Sequence, residues 1–239
     1  MLTSIILIGA SYLFGSLPSA IALARISGLD SSQEKDLHLA LWRKAGKILG
    51  LLAVVIDFAK GIIPVLIGFG FDLAPGVVAS SGVAAVAGQM WPVFHNFDGE
   101  KGNSTGIAAI GTLALAYKTY LILSFLIPMA IGASIRLLLS MLSSKEPLGQ
   151  RLRFTESSNP IALILPLGTI FGFALAPLVS WYSLQPRQIT LSLVALFAII
   201  VVRRLTAGLR ADFERRNSIA KALLNRLLFD RSYSGRDKN

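Results

Sequence analysis

Lys101 lies between Gly99 and Gly102 at the end of a polar stretch, Gly88 to Gly102, that interrupts two long apolar runs. Ser104 and Thr105 follow where another helix begins. Glycines let backbone N–H groups come close to an anion, and a helix N-terminus with hydroxyl side chains adds further donors around the lysine charge. The chemistry these residues suit is binding of a phosphate-like anion at a membrane surface. The plain alternative is a loop with one snorkelling lysine, since the full spacing of a nucleotide-binding P-loop is absent. A second pair, Asp57 and Lys60, stands three residues apart inside an apolar run. The spacing puts both on one helix face, where they can pair in a low-dielectric environment, either for function or to fix helix packing. Gly61 beside them permits a close helix approach, and Pro64 breaks the hydrogen-bond ladder.

The elements that must carry these residues are membrane helices. The chain has 239 residues, 54% hydrophobic and only 15% charged, and its mean hydropathy is +0.65. That composition fits a small polytopic membrane protein better than a soluble domain. Apolar runs predict seven spans, at 3–24, 47–69, 74–90, 104–116, 119–142, 158–181 and 187–206. The fourth is short, but residues 104–142 are too long for one crossing and divide at Tyr117-Lys118-Thr119. Long continuous runs favour helices over the alternation of barrel strands. The first run lacks a basic flank and a small-residue cleavage pattern, so it reads as a retained span. With no cysteine, a disulfide scaffold and thiol chemistry are excluded.

Basic residues orient this all-α bundle. Arg25, Lys35, Arg43, Lys44, Lys47, Lys101, Lys145, Arg151 and Arg153 all fall in connections on one side of a seven-span arrangement, and the C-terminal segment adds more. By the positive-inside rule that side is cytoplasmic, with the N-terminus outside and the C-terminus inside. Residues 1–210 form the membrane domain. Residues 211–239 form a basic tail whose Phe213, Ile219, Leu223, Leu224, Leu227 and Leu228 recur at helical spacing, the pattern of an amphipathic helix on the membrane, ending in a disordered stretch. The formal charge of +10 follows from topology and contact with anionic membrane phospholipids rather than from nucleic-acid binding.

Three motifs in order resemble the bacterial membrane glycerol-3-phosphate acyltransferases that use acyl phosphate, the PlsY family. Gly15-Ser16-Leu17-Pro18 is similar to the family's Gly-Ser-hydrophobic-Pro motif. Arg43-Lys44-Ala45-Gly46-Lys47 and Asp57-Phe58-Ala59-Lys60-Gly61 resemble its Arg-x-x-Gly-Lys and Asp-x-x-Lys-Gly. Gly88, Pro92, Phe94, Phe97, Gly99, Lys101 and Gly102 match its Gly-His-x-x-Pro-x-Phe-x-x-Phe-x-Gly-Gly-Lys-Gly. The chain also departs from the pattern. Gln89 stands for the motif histidine, Glu100 for a glycine, and Gln33 to Ala40 for the family's Ser-Gly-Asn-x-Gly-x-Thr-Asn loop. Arg204-Leu205-Thr206-Ala207 lies where the family has His-x-x-Asn, and a Ser-rich segment survives as Thr155-Glu156-Ser157-Ser158-Asn159.

The resemblance implies acyl transfer from acyl phosphate to the 1-hydroxyl of glycerol 3-phosphate, giving lysophosphatidate in phospholipid synthesis at the bacterial inner membrane, with no metal or other cofactor. It implies Lys101 and Arg43 as the cationic set with Ser104 or Thr105 as hydroxyl donor, and Gly99, Gly102, Lys47, Ser16, Ser157 and Ser158 around substrate phosphate. A general base is missing from this set. Gln89 cannot be one; His38, His95, Glu100 and Glu156 could be if correctly placed, although His38 reads as a loop residue and His95 as an interfacial one. Two other readings stay open: a noncatalytic or altered-substrate relative, and a small transporter or scaffold suggested by Asp57 and Lys60.

Overall fold

In lipid a chain must satisfy its backbone groups internally, and among the described residues every regular element is helical. A computed structural model describes residues 1–30, 37–142, 164–206, 223–224 and 226–227. Helix α1 (Leu2–Gly15) breaks at Ser16-Leu17-Pro18, and α2 (Ser19–Ile26) continues from it. A short α3 (Leu37–Ala40) runs into a π-helical turn, Leu41–Ala45. Helices α4 (Lys47–Gly70) and α5 (Pro75–Met90) form a hairpin. After a loop containing the 3₁₀ turn Val93–His95 come α6 (Asn103–Ala116), the 3₁₀ turn Tyr120–Ile122, α7 (Leu123–Leu142), α8 (Ile164–Tyr182) and α9 (Arg187–Thr206).

The expectation of seven spans is corrected. Among the described residues four helical stretches are long and apolar enough to cross a membrane: Leu2–Ile26, Lys47–Gly70, Pro75–His95 and Arg187–Thr206. The apolar stretches Asn103–Ala116, Tyr120–Ile135 and Pro166–Tyr182 are shorter. The reason is geometric. A helix rises about 1.5 Å per residue and the hydrocarbon layer is about 30 Å thick, so roughly 20 residues are needed. Helix α6 is held to 14 residues, bounded by Gly102 in the left-handed region (φ 69°) and by a turn at Lys118.

The expected C-terminal amphipathic helix is not established either, because residues 207–222, 225 and 228–239 lie outside the described residues, as do Lys145, Arg151, Arg153, Ser157 and Ser158. Of the tail, Arg226 is buried, and the Arg204 guanidinium donates to the Leu227 carbonyl at 3.1 Å.

Two compact units are present, Met1–Ile122 with Pro177–Leu196, and Leu123–Ala176 with Phe197–Asn239. In the second, Phe125 and Phe173 meet edge to face at 4.8 Å, and Arg204 also bonds the Pro166 carbonyl and the Thr169 hydroxyl. The first unit carries the motifs. Helix α4 is its axis, and its two halves have different neighbours. On its first half, Ala20, Leu23 and Ala24 of α2 with Leu41 of the π turn close over Ala53, with Leu37, Leu49 and Ile56 at the edge. On its second half α4 meets α6, so closely that a Cβ on Gly61 would collide with the Thr105 carbonyl oxygen. Small residues at such a crossing let backbones approach and pack without side-chain entropy loss. Asp57 lies one helical turn before Gly61, where the two halves join.

Candidate functional site

Asp57 is fully buried and Lys60 is 3% exposed. The pairing expected from their spacing is present, with Lys60 Nζ donating to Asp57 Oδ1 at 3.4 Å. The second carboxylate oxygen is met from two other elements. Ser104 Oγ donates to Asp57 Oδ2 at 3.3 Å, and His38 Nε2 sits 2.9 Å from the same atom. Thr105 Oγ1 donates to the Asp57 backbone carbonyl at 2.8 Å and also contacts the Gln89 side-chain carbonyl. The Gln89 amide in turn donates to Glu100 Oε2 at 2.9 Å, which stands 3.9 Å from His38 Nε2. One connected polar cluster thus joins α3, α4, α5, α6 and the loop before α6.

Local structure explains why these groups converge. The α2–α3 cap on the first half of α4 carries His38 beside Leu37, at the edge of the cluster that contains Ile56. The close α4–α6 crossing at Gly61 presses the first turn of α6, with Ser104 and Thr105, onto Asp57. The loop is closed onto the end of α5: Glu100 N donates to the Gln89 carbonyl at 3.0 Å, and Gly99 N to the Met90 carbonyl at 3.3 Å. Tyr12 Oη donates to the Trp91 carbonyl at 2.6 Å and ties α1 to the same loop. Beside the cluster is a cleft whose wall includes Ser16, Lys60, Gln89, His95, Gly99 and Glu100.

Charges are unevenly placed around this cleft. Burial, and after it the nearby charge of Asp57, pushes the Glu100 carboxyl up to about 7. At neutral pH Glu100 is therefore poised between its neutral and charged forms, which softens the clash with an anion that its position beside Lys101 suggests. His38, Asp57 and Glu100 offer donor atoms that all lie within 4.8 Å of one another, a set with some capacity for a divalent cation. Lys60 already sets an ammonium against Asp57, so the cluster's charge is balanced from within, and it fits a hydrogen-bonded ionic network better than a metal centre.

The residues expected at the site fall in three groups. Ser104, Thr105, Ser16, Gly99 and Gly102 lie in or next to the cluster, but their polar groups are mostly engaged. The Ser16 hydroxyl donates back to the Tyr12 carbonyl at 2.8 Å. A Cβ on Gly99 would strike the Gln89 carbonyl and the Pro92 ring, while Gly102 packs on Met90 and Val86; both glycines serve the loop's closure onto α5. Lys101, Arg43 and Lys47 are exposed cations. Trp42 packs on Gly50, so Arg43 lies near a level of α4 two turns, about 10 Å, from Asp57, whereas Lys101 is two residues from α6. Ser157 and Ser158 lie outside the described residues. Sequence reasoning missed the convergence of His38, Gln89 and Glu100 on Asp57. A signal for part of it was available, because Gln89 and Glu100 depart from the family motif together and turn out to bond each other.

Comparison with known proteins bears on the chain as a whole. The glycerol-3-phosphate acyltransferase family profile matches residues 5–211. A glycerol-3-phosphate acyltransferase of Haemophilus ducreyi is 34% identical over 130 residues, 53% of this chain and 65% of that protein. One from Trichlorobacter lovleyi is 25% identical over 216 residues, 87% of this chain and 96% of that protein. A crystal structure of PlsY, an integral membrane glycerol 3-phosphate acyltransferase in its glycerol 3-phosphate form, superposes with a TM-score of 0.60 at 22% identity, covering 97% of this chain and 96% of that one. The alignment thus spans about two thirds or less of the more similar curated relatives, while the fold is shared across nearly the whole length. With its four candidate spans, this chain is a multi-pass membrane protein, and with a profile match over residues 5–211 it belongs to the glycerol-3-phosphate acyltransferase family.

Proposed function

We propose that this chain transfers an acyl group from acyl phosphate to the 1-hydroxyl of glycerol 3-phosphate, forming lysophosphatidate and inorganic phosphate. The observation that carries the reading is the family match over residues 5–211, which includes the Lys101 loop and the whole Asp57 cluster. Acyl phosphate is a mixed anhydride whose leaving group is already good, so catalysis can rest largely on holding two anionic substrates in line and stabilising oxygen charge as it develops. Lys101 and Arg43 are the cations assigned to the two phosphates, with Lys47 contributing to the same field. Ser104 and Thr105, bonded to Asp57, act by holding the cluster rather than on phosphate directly. The amphiphilic acyl donor favours a site at a membrane surface, fed from the phospholipid layer.

The sidedness we propose is an N-terminus outside the bacterial inner membrane, with the Arg43–Lys47 and Gly99–Lys101 segments cytoplasmic. It is supported by the basic residues at this end of α4, against the basic-free turn Phe71–Ala74. Since the chain has no cysteine, single thiols report cleanly. In right-side-out vesicles an impermeant reagent is expected to label Phe71→Cys and to spare Lys44→Cys; the reverse pattern rejects this orientation.

Purified protein given acyl phosphate and glycerol 3-phosphate is expected to release phosphate and lysophosphatidate in equal amounts. Lys101→Ala is expected to lower kcat/KM about 100-fold or more while leaving the thermal unfolding midpoint in detergent nearly unchanged. Wild-type turnover in that variant removes Lys101 from its assigned role. Absence of product from the wild-type protein replaces the catalytic reading with that of a noncatalytic relative.

Glu100 gives a pH dependence of defined sign. Between its ordinary value of 4.5 and about 7 the folded chain holds a proton on Glu100 that the unfolded chain has released. Folding stability contributed by this group therefore falls as pH rises across that window. The negative charge that appears near pH 7 also repels substrate phosphate, so KM for glycerol 3-phosphate is expected to rise between pH 6 and 8 more steeply in the wild type than in Glu100→Gln. Equal slopes in the two proteins contradict the placement of Glu100 at the anion site.

A further inference from the structure

Glu100 stands one residue before Lys101, on the loop that closes onto the end of α5, and it is tied to that helix twice. Its backbone N–H donates to the Gln89 carbonyl at 3.0 Å, and the Gln89 side-chain amide donates to Glu100 Oε2 at 2.9 Å. Gln89 is itself clamped, because its side-chain carbonyl meets the Thr105 hydroxyl of α6. The double tie removes rotamer freedom that a glutamate on an open loop would keep, so the carboxylate is oriented before any substrate arrives. Among the described residues no donor bonds its second oxygen, Oε1. The side chain is 30% exposed, so a bound molecule can reach it.

The cleft beside the Asp57 cluster gives this carboxylate something to act on. Glu100 and Gln89 line it together with Ser16, Ser19 and Lys60. Ser19 Oγ is buried and, among the described residues, has no hydrogen-bond partner. A buried hydroxyl left unsatisfied in a cleft wall calls for a polar ligand, and a polyol suits it because each of its hydroxyls both donates and accepts. The charged and titratable groups facing Glu100 are Asp57 and Lys60 of α4 and His38 of α3. Asp98 and Lys101 flank it in the loop, and His95 lines the same cleft. Burial, and after it the Asp57 charge, brings the Glu100 carboxyl to about 7, where a carboxylate is a far better proton acceptor at neutral pH than an ordinary one.

We propose that Glu100 is the general base of the acyl transfer, acting on an acceptor hydroxyl bound in this cleft, and that Gln89 is its positioning residue. The inference rests on the acyltransferase reading given above. As the acceptor hydroxyl oxygen bonds to the acyl carbonyl carbon, its proton passes to Oε1 of Glu100, while Oε2 stays on the Gln89 amide. The bond from the acyl carbon to the phosphate oxygen then breaks, and its electron pair leaves with the phosphate. Glu100 returns the proton to that departing phosphate, so it ends as a carboxylate and the products are the ester and hydrogen phosphate. The charge on Glu100 thus acts oppositely on two constants: it weakens binding of the anionic acceptor and drives its chemistry.

The test compares wild type, Glu100→Gln, Glu100→Ala and His95→Gln in the purified, full-length protein, with acyl phosphate and glycerol 3-phosphate as substrates. In the wild type kcat is expected to rise about tenfold between pH 6 and 8, as a group near 7 gives up its proton. Glu100→Gln retains an oxygen for the Gln89 amide but cannot take a proton. It is expected to lower kcat at pH 8 about 100-fold or more, in the range that proton transfer contributes, and to abolish the rise with pH. In Glu100→Ala, added formate is expected to restore turnover in a saturable way, and His95→Gln is expected to keep the rise of kcat with pH. Wild-type kcat in Glu100→Gln overturns the assignment. So does a rise with pH that survives in Glu100→Gln and is lost in His95→Gln, which would make the histidine the base. A purely structural role for Glu100 lowers kcat or the unfolding midpoint with the pH profile intact and without formate rescue, and that result overturns it as well. An inactive wild-type protein is a separate outcome, which removes the acyltransferase reading first and this inference with it.

Discussion

A carboxylate carried into the apolar interior of a helix bundle is tolerated only when donors surround it, because burying it unpaired costs far more than the marginal stability of a small protein. Asp57 is that carboxylate here, and its requirements organise the first unit. Lys60 from its own helix and Ser104 from α6 donate to the carboxylate, Thr105 from α6 donates to the Asp57 backbone carbonyl, and the imidazole of His38, from the cap on the first half of α4, lies 2.9 Å from Oδ2. Each of these groups needs a separate piece of packing. The α2–α3 cluster over Ala53 brings His38, and the contact at Gly61 brings α6. One polar centre therefore ties the helix axis to the elements on either side of it.

The same centre accounts for substitutions that look damaging when read singly. An acidic residue next to Lys101, taken alone, opposes binding of a phosphate, and a glutamine cannot replace a histidine in proton transfer. In the fold, the Gln89 amide bonds Glu100, the Gln89 carbonyl faces Thr105, and Glu100 leans towards His38. Burial and Asp57 hold Glu100 partly protonated near neutrality. The departures form one repacked network in which each altered side chain meets another, and the imidazole reaches the network from the rewritten first loop.

The class of fold was legible in the sequence because long apolar runs leave little alternative to helices. The Asp57–Lys60 pair was legible from spacing, and the break at Gly15 to Pro18 from its residues. The number of spans was not, because hydropathy marks apolar stretches without giving their helical length; α6 is shortened by the left-handed Gly102 at one end and the turn at Lys118 at the other. His38 could not be placed from its neighbours, since its contact with Asp57 crosses 19 positions and depends on how α2 and the π turn lie against α4. The role of Gly99 was read as openness to an anion, whereas its missing side chain makes room for the Gln89 carbonyl and Pro92. Close approach and anion binding demand the same residue, and only the packing separates them.

The central claim is that Asp57 is the charged hub on which α3, α4 and α6 converge, with Lys60 as its intrahelical counter-charge. Thermal or denaturant unfolding in detergent of Lys60→Met and of the Asp57→Asn, Lys60→Met double variant tests it most directly. The account predicts a loss of about 3–5 kcal/mol in the single variant, where a buried carboxylate loses its ammonium, and recovery of more than half of that loss in the double variant, where the charge is gone as well. A single variant as stable as the wild type, or a double variant no more stable than the single one, would contradict it.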